Sequence, residues 1–393
     1  MDLTTRIRRR QQRGTDQPVI REYEAISPVA HVDEPVRRGP TLERLLDHLD
    51  PVFEGRLPAN VSLSGPPGAG KSALITALFA RLAELPPGSS AGIHTSTRAQ
   101  TMPAAPAIVY VDTRLTDSPF GFYHALLDAL VTESIPEQGL KTEALRRRVH
   151  ELLHSADQQA VVAVDHVTEA DRLDPSTLED LVSPVEASLA LVAVGRKPPG
   201  EIEEGLHCSE YIEIPAYRKN ALVDVLAARS SDGLTQGVVG PEQFQRLAGW
   251  ADGNAHDALA ALFAAAHRVE TTGRDQIEEE ELTAGIAAVP QRSVALGRVH
   301  TLAQNRQLAL RQLVDLPEPP LESVNSAADA IADSAGIELS AKTIERFLYE
   351  LAEDGIIHRV PTSSSPGAGR PPSRLDPRFP VPVFRRLFDL DDT

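Results

Sequence analysis

The chain has 393 residues, enough for two or three domains with sizeable cores, and a formal net charge of −17. Its single cysteine, Cys208, excludes internal disulfides and a cysteine-rich zinc site; with no signal-peptide run and no apolar stretch of membrane-spanning length, a soluble cytoplasmic protein is expected. Only five of the 39 basic residues are lysine, and excess carboxylate with scarce lysine is the pattern of a halophile's cytosol; a GC-rich genome would favour arginine too, but not the acidic excess.

Residues 1 to about 17 are polar, carry Arg6, Arg8, Arg9, Arg10 and Arg13, and lack periodicity, so they read as a disordered basic arm that either touches DNA or is simply solvated. From 18 to 215, strands at Val61–Ser64, Ala107–Asp112, Ala160–Asp165, Leu189–Gly195 and Tyr211–Ile214 alternate with helices, notably Thr41–Leu49, Gly121–Val131 and Thr142–Leu153. Near-continuous apolar strands between helices predict an α/β domain whose parallel sheet is covered on both faces. After Pro215 the strands stop, and Asn220–Arg229, Pro241–Gly249, Ala255–Val269 and Glu278–Ala288 read as a small all-helical domain over 216–290. A last domain, 294–393, starts with a helix Val299–Leu313 and continues with Ser323–Ser334 and Ser340–Asp354. Ser340 suits an N-cap, while Ile344, Phe347, Leu348 and Leu351 form an apolar stripe. Gly355 ends that helix, a strand follows at Ile356–Val360, and 361–373 are rich in Pro, Ser and Gly.

Gly65-Pro66-Pro67-Gly68-Ala69-Gly70-Lys71-Ser72 matches G-x-x-x-x-G-K-[ST], between a strand and an apolar helix. In such a loop glycines let backbone N–H groups approach phosphate oxygens, the lysine neutralises the β/γ charge, and the serine hydroxyl takes a place on Mg²⁺. The positive end of the following helix adds to the field. Gly68, Ala69, Gly70, Lys71 and Ser72 are therefore expected to bind ATP. The strand ending Val161-Val162-Ala163-Val164-Asp165 supplies the carboxylate expected beside Mg²⁺, so Ser72 and Asp165 form the metal pair and Asp165 is the catalytic carboxylate. Hydrolysis normally needs a glutamate at the next position to polarise water; here that position is His166, with Glu169 further on.

With these residues placed, the chain resembles the archaeal origin-recognition initiators, AAA+ relatives of the eukaryotic origin recognition complex. The resemblance runs from about residue 18 to the end. It rests on Val19-Ile20-Arg21 before Tyr23, Leu57-Pro58-Ala59-Asn60 leading into the loop, and Val109-Tyr110-Val111-Asp112. Ile135-Pro136-Glu137-Gln138-Gly139-Leu140, Ile214-Pro215-Ala216-Tyr217 and Gly253-Asn254-Ala255-His256-Asp257-Ala258-Leu259 continue the order. It implies an AAA+ P-loop domain, a helical lid and a C-terminal winged helix. It also implies that Tyr217 and Arg229 contact the base and ribose side of the nucleotide, although Tyr217 could be only a packed aromatic. Four departures fall on hydrolysis-related positions. The Walker B glutamate is His166, the sensor-1 asparagine is Arg196, the sensor-2 arginine is His256, and no arginine stands between Lys197 and Cys208 to serve as a finger. A protein that holds ATP and hydrolyses it slowly or not at all is expected.

In the winged helix, Ser340–Asp354 would be the recognition helix and roughly Ile356–Arg374 the wing. Residues 340–388 carry eight basic against five acidic side chains in an otherwise acidic chain, with Lys342, Arg346, Arg359, Arg370 and Arg374 as the expected DNA contacts. Arg370 could tip a minor-groove contact or belong to a plain flexible wing. Between Arg114 and Leu153 there is room for a second DNA-contacting insertion. The expected partner is duplex DNA at origin-like sites, with self-association on it. A nucleotide-gated transcriptional regulator or mobile-element protein on the same scaffold is the alternative.

Overall fold

The computed structural model describes residues 18–84, 105–116, 118–155, 158–167, 173–197, 207–317, 323–334, 336, 338–361 and 373–391. The basic arm expected at 1–17, Glu169 and Arg370 lie outside them. Residues 31–217 form one compact unit, and residues 18–30 form a second with 218–393. No helix among the described residues is long and apolar enough to cross a membrane.

In the first unit, α2 (Gly39–Phe53) precedes β1 (Val61–Ser64), α3 (Lys71–Glu84), β2 (Ala107–Asp112), α4 (Pro119–Leu130) and α5 (Thr142–Leu153). Then come β3 (Ala160–Asp165), α6 (Pro175–Val182), β4 (Leu189–Gly195) and β5 (Glu210–Glu213). The α1 segment (Tyr23–Ile26) belongs to the second unit. The sheet order is β2-β3-β4-β1-β5, every neighbour parallel. Because side chains alternate along a strand, β3 feeds two cores at once. Ala160, Val162 and Val164 join Phe122, Tyr123, Leu126 and Val149 from α4 and α5. Val161 and Ala163 join Leu45, Leu49, Leu74, Ile75 and Phe79 from α2 and α3. Each fully buried Leu, Ile or Phe there contributes roughly 1.5–3 kcal/mol. The expected parallel sheet covered on both faces is the one observed, and parallel strands put Ser64, Asp165 and Gly195 at the same carboxyl edge. That edge, where an open α/β sheet binds ligands, positions the site.

The second unit begins with the lid helices α7 (Lys219–Gly233), α8 (Pro241–Trp250), α9 (Ala255–Thr272) and α10 (Glu279–Ala287). Helix α9 is alanine-rich and buried along most of its length, capped by the Asn254 side chain at one end and by left-handed Gly273 (φ 69°) at the other. After it come α11 (Leu296–His300), α12 (Gln304–Leu313), α13 (Val324–Ala332), α14 (Ala341–Glu353), the antiparallel pair β6 (Ile357–Pro361) and β7 (Ser373–Pro377), and α15 (Val381–Asp391). Three helices followed by a hairpin is the order of a winged helix. Ser323 and Ser340 cap α13 and α14 through the amides of Ser326 and Thr343. The single helix expected over 299–313 is two: the Gln307 side-chain amide donates to His300 O (2.9 Å) and Leu302 O (2.8 Å), closing α11 one turn before α12 begins.

Residues 18–30, assigned from sequence to the nucleotide-binding domain, pack by their contacts in this second unit. Ile20 forms a bridge with Leu234, and Arg21 donates to the carbonyls of Leu234 and Ser231. Arg229, buried on α7, donates to the carbonyls of Ser27 (2.7 Å), Ala30 (3.2 Å), Glu24 (3.3 Å) and Ala25. A guanidinium presents five donors in one plane, so a single side chain holds this strap onto the lid.

Candidate functional site

The Gly65–Ser72 loop turns from the end of β1 into the first residue of α3. Gly68 and Gly70 take φ of 67° and 75°, a region that only glycine enters without strain. A Cβ on Gly70 would lie 2.6 Å from the Tyr217 hydroxyl, so the loop is sealed against this aromatic ring. Lys71 is buried, and its Nζ donates to Gly65 O at 2.8 Å and Pro66 O at 2.9 Å. A triphosphate would compete with those carbonyls for the ammonium. The first amides of an α-helix lack an acceptor within the helix and, together with the helix dipole, make its start an anion site.

Asp165, 1% exposed, ends β3 beside that helix start. Its Oδ2 accepts from the Tyr110 hydroxyl (3.0 Å), and its Oδ1 accepts from the His166 amide (2.8 Å). Burial and then the Asp165 charge push the Tyr110 phenol far above its ordinary value, so it stays a donor. Thr113 Oγ1 donates to the Asp165 carbonyl at 2.9 Å, tying β2 to the strand end. His166 is held in the left-handed region at φ 64°, uncommon for a residue with a Cβ. Its Nε2 lies 3.3 Å from Ser72 Oγ and 3.6 Å from Asp165 Oδ2. Ser72, Asp165 and His166 therefore converge, as the expected metal pair and the residue that replaces the glutamate. Next to them Asp112 pairs with Arg114 at 2.6 Å; burial raises that carboxyl, but the Arg114 hydrogen bonds and charge bring it below its usual value.

Sequence reasoning missed Arg38. It is buried, donates to Ala69 O (2.5 Å) and Pro215 O (2.9 Å), and lays its guanidinium 3.7 Å from the centroid of the Tyr217 ring. One arginine thus joins the phosphate loop to the strand-to-lid connection, and Tyr217 is packed between loop and cation. The Arg229 donors are directed at the carbonyls of 24–30 described above. Of the two residues expected at sensor positions, Arg196 is exposed just past β4, and His256 is engaged within its own unit. His256 Nε2 accepts from the Leu296 amide (2.9 Å) while Nδ1 faces Asp257 Oδ1 (3.0 Å), which assigns the proton to Nδ1.

Of the expected DNA contacts, Lys342 and Arg346 are exposed on α14 and share a face with Tyr349, at helical spacings of four and three. Arg359 on β6 lies 4.8 Å from the centroid of the Tyr349 ring, extending that stripe. Arg374 does not join it. It is opposite Val360 while Arg359 is opposite Leu375, so the two arginines point to opposite faces of the hairpin. Carboxylates temper the stripe, because Glu350 pairs with Arg306 (2.6 Å) and approaches Arg346 (3.6 Å).

Ser72, Asp165 and the loop fit a nucleotide-bound divalent cation by their chemistry. Among the described residues no cluster of three or more His, Cys, Asp or Glu could hold a metal by itself.

Residues 34–194 match the family model of the AAA ATPase domain. The chain is 24% identical over 261 residues to ORC1-type DNA replication protein 1 of Sulfolobus acidocaldarius, covering 62% of this chain and 61% of that one. It is also 24% identical to ORC1-type DNA replication protein 9 of Halobacterium salinarum, covering 62% and 65%. The chain thus spans less than two thirds of either relative. A solved structure of the Aeropyrum pernix ORC1 protein in complex with DNA superposes with a TM-score of 0.61 at 19% identity, covering 96% of this chain and 98% of that one.

Proposed function

We propose that this chain, a divergent relative of the archaeal ORC1-type replication proteins, is an ATP-binding initiator-type protein that recognises duplex origin DNA and turns ATP over slowly or not at all. The observation that carries the reading is the intact phosphate loop facing Asp165 with an imidazole, not a carboxylate, at the next position. Lys71 and the opening amides of α3 would hold the β- and γ-phosphates, and Ser72 Oγ with Asp165 would hold Mg²⁺, which neutralises phosphate charge when bound. Tyr217, fixed by Arg38, would wall the loop on the base and ribose side, while the Arg229 donors are taken up by the carbonyls of segment 24–30. His166 lacks the anionic oxygen that orients an attacking water, and His256 offers no guanidinium to the γ-phosphate. Binding without fast hydrolysis suits a protein whose bound nucleotide holds a conformation. The stripe Lys342, Arg346, Tyr349 and Arg359 supplies phosphate charge and an aromatic edge for one groove of a duplex.

Titration of ATP into the protein at molar KCl tests the first half: Lys71→Ala should weaken binding tenfold or more, about 1.4 kcal/mol. Chromatin immunoprecipitation with sequencing tests the second. A few sharp peaks on intergenic inverted repeats support the initiator reading, and many promoter peaks would replace it with the nucleotide-gated regulator.

A further inference from the structure

Three donors of different chemistry crowd the place where the nucleotide's cation must sit: a hydroxyl, a carboxylate and an imidazole. In an octahedral shell with bonds of about 2.1 Å, neighbouring donors stand about 3.0 Å apart. Ser72 Oγ and His166 Nε2 are 3.3 Å apart, and His166 Nε2 and Asp165 Oδ2 are 3.6 Å apart, so each pair needs only a few tenths of an ångström to share one ion. The His166 backbone is strained to present the ring there, at φ 64°, and is held by its own amide on Asp165 Oδ1. Strain of this kind persists where the surroundings over-determine it. The neighbouring hydroxyl of Tyr110 is engaged on Asp165 Oδ2, leaving the imidazole as the additional donor on this side of the ion.

We propose that His166 is a metal ligand, and that the protein takes its nucleotide as a complex of a transition-series divalent cation, Mn²⁺ or Co²⁺, in preference to Mg²⁺. The proposal rests on the ATP-binding reading above and names the cation of that same site. Mg²⁺ is a hard ion served by oxygen, whereas an imidazole nitrogen strengthens binding along the series from Mn²⁺ to Co²⁺. The same substitution that removes the water-orienting carboxylate thus supplies a nitrogen ligand. No bond in the nucleotide is made or broken by this step; His166 exchanges a contact to Ser72 for one to the ion.

The experiment is calorimetric titration of the full-length protein with ATP in Mg²⁺, Mn²⁺ or Co²⁺, for the wild type and His166→Asn. Asparagine tolerates the left-handed backbone and removes the imidazole. The wild type should bind the Co²⁺ and Mn²⁺ complexes tenfold or more tighter than the Mg²⁺ complex, and His166→Asn should erase most of that ratio. In parallel, electron spin-echo modulation of Mn²⁺·ATP on the wild type should show ¹⁴N coupling from a bound imidazole, a readout that does not require the variant to fold. ATP binding with an equal ratio in both proteins, or Mn²⁺ without nitrogen coupling, overturns the proposal and leaves ATP binding standing. No ATP binding with any cation overturns both.

Discussion

Gly70 and Tyr217 are fitted to each other, and each explains why the other is not a different residue. At Gly70 any side chain meets two penalties, a φ of 75° and a contact at 2.6 Å with the Tyr217 hydroxyl. Gly70→Ala should therefore destabilise the protein by about 1–3 kcal/mol and weaken ATP binding as the loop is displaced. Adding Tyr217→Phe removes the oxygen in the way but leaves the backbone strain. Denaturant midpoints of the double variant should recover only part of the loss; complete recovery would show that sterics alone constrain this position. Arg38 belongs to the same assembly. Truncating it to alanine leaves the carbonyls of Ala69 and Pro215 without their donor, at a cost of about 1–3 kcal/mol where no water replaces it.

Helix α9 shows how a side chain in a first turn can serve packing between elements. That turn carries His256, whose ring accepts the Leu296 amide at the start of α11. Leu296 is fully buried, so the amide has little access to water. His256→Arg should cost about 1–3 kcal/mol in thermal or denaturant unfolding because no acceptor replaces the imidazole. A neutral outcome would mean that solvent reaches the Leu296 amide. Helix α14 makes the matching case for DNA. Arg346→Ala should alter sequence preference in a binding-site selection more than Arg374→Ala, since Arg346 lies on the Lys342–Tyr349 face and Arg374 points away from Arg359. What was legible in the chain follows the same division between local and distant. The phosphate loop, the apolar strands and the Ser340 cap are written in contiguous residues, and a strand such as β3 betrays burial on both faces by having no polar position before Asp165. Helix α6, one of the helices expected between strands, carries a local mark of its own: Asp174-Pro175 is a cap followed by a first-turn proline, with Asp174 Oδ1 accepting from the Thr177 amide at 2.7 Å. Arg38 and the strap at 18–30 could not be found in this way, because Arg38 reaches Pro215 across 177 positions and Arg229 reaches Ala25 across 204. Nothing near them in sequence signals the partner.

At the scale of the whole molecule, charge and buried histidine act in opposite senses, and salt separates them. A net charge of −17 repels itself at low ionic strength. Since the screening length shrinks to about 3 Å at 1 M salt, raising KCl from about 0.1 to 2 M should raise the unfolding midpoint. Acidification at low salt mixes relief of that repulsion with the histidines, so pH is best varied in about 2 M KCl. Burial lowers His150 and His267 from their ordinary 6.5, with Arg146 and His154 adding at His150, and Arg386 adding at His267 against Glu270 and Asp389. A histidine whose folded value is depressed binds its proton more readily when unfolded. Stability from these two is therefore full above about pH 6.5 and is lost as the pH falls below it, down to their folded values. Asp112 and Asp174 are also depressed, but they release their contribution only near and below the ordinary carboxylate value of 3.8, outside that window. At high KCl the midpoint should thus fall between about pH 7.5 and 5.5, and His267→Gln should flatten the fall. A midpoint that stays level or rises over that interval would show that the two rings are hydrated in the native protein and titrate as they do in the unfolded chain.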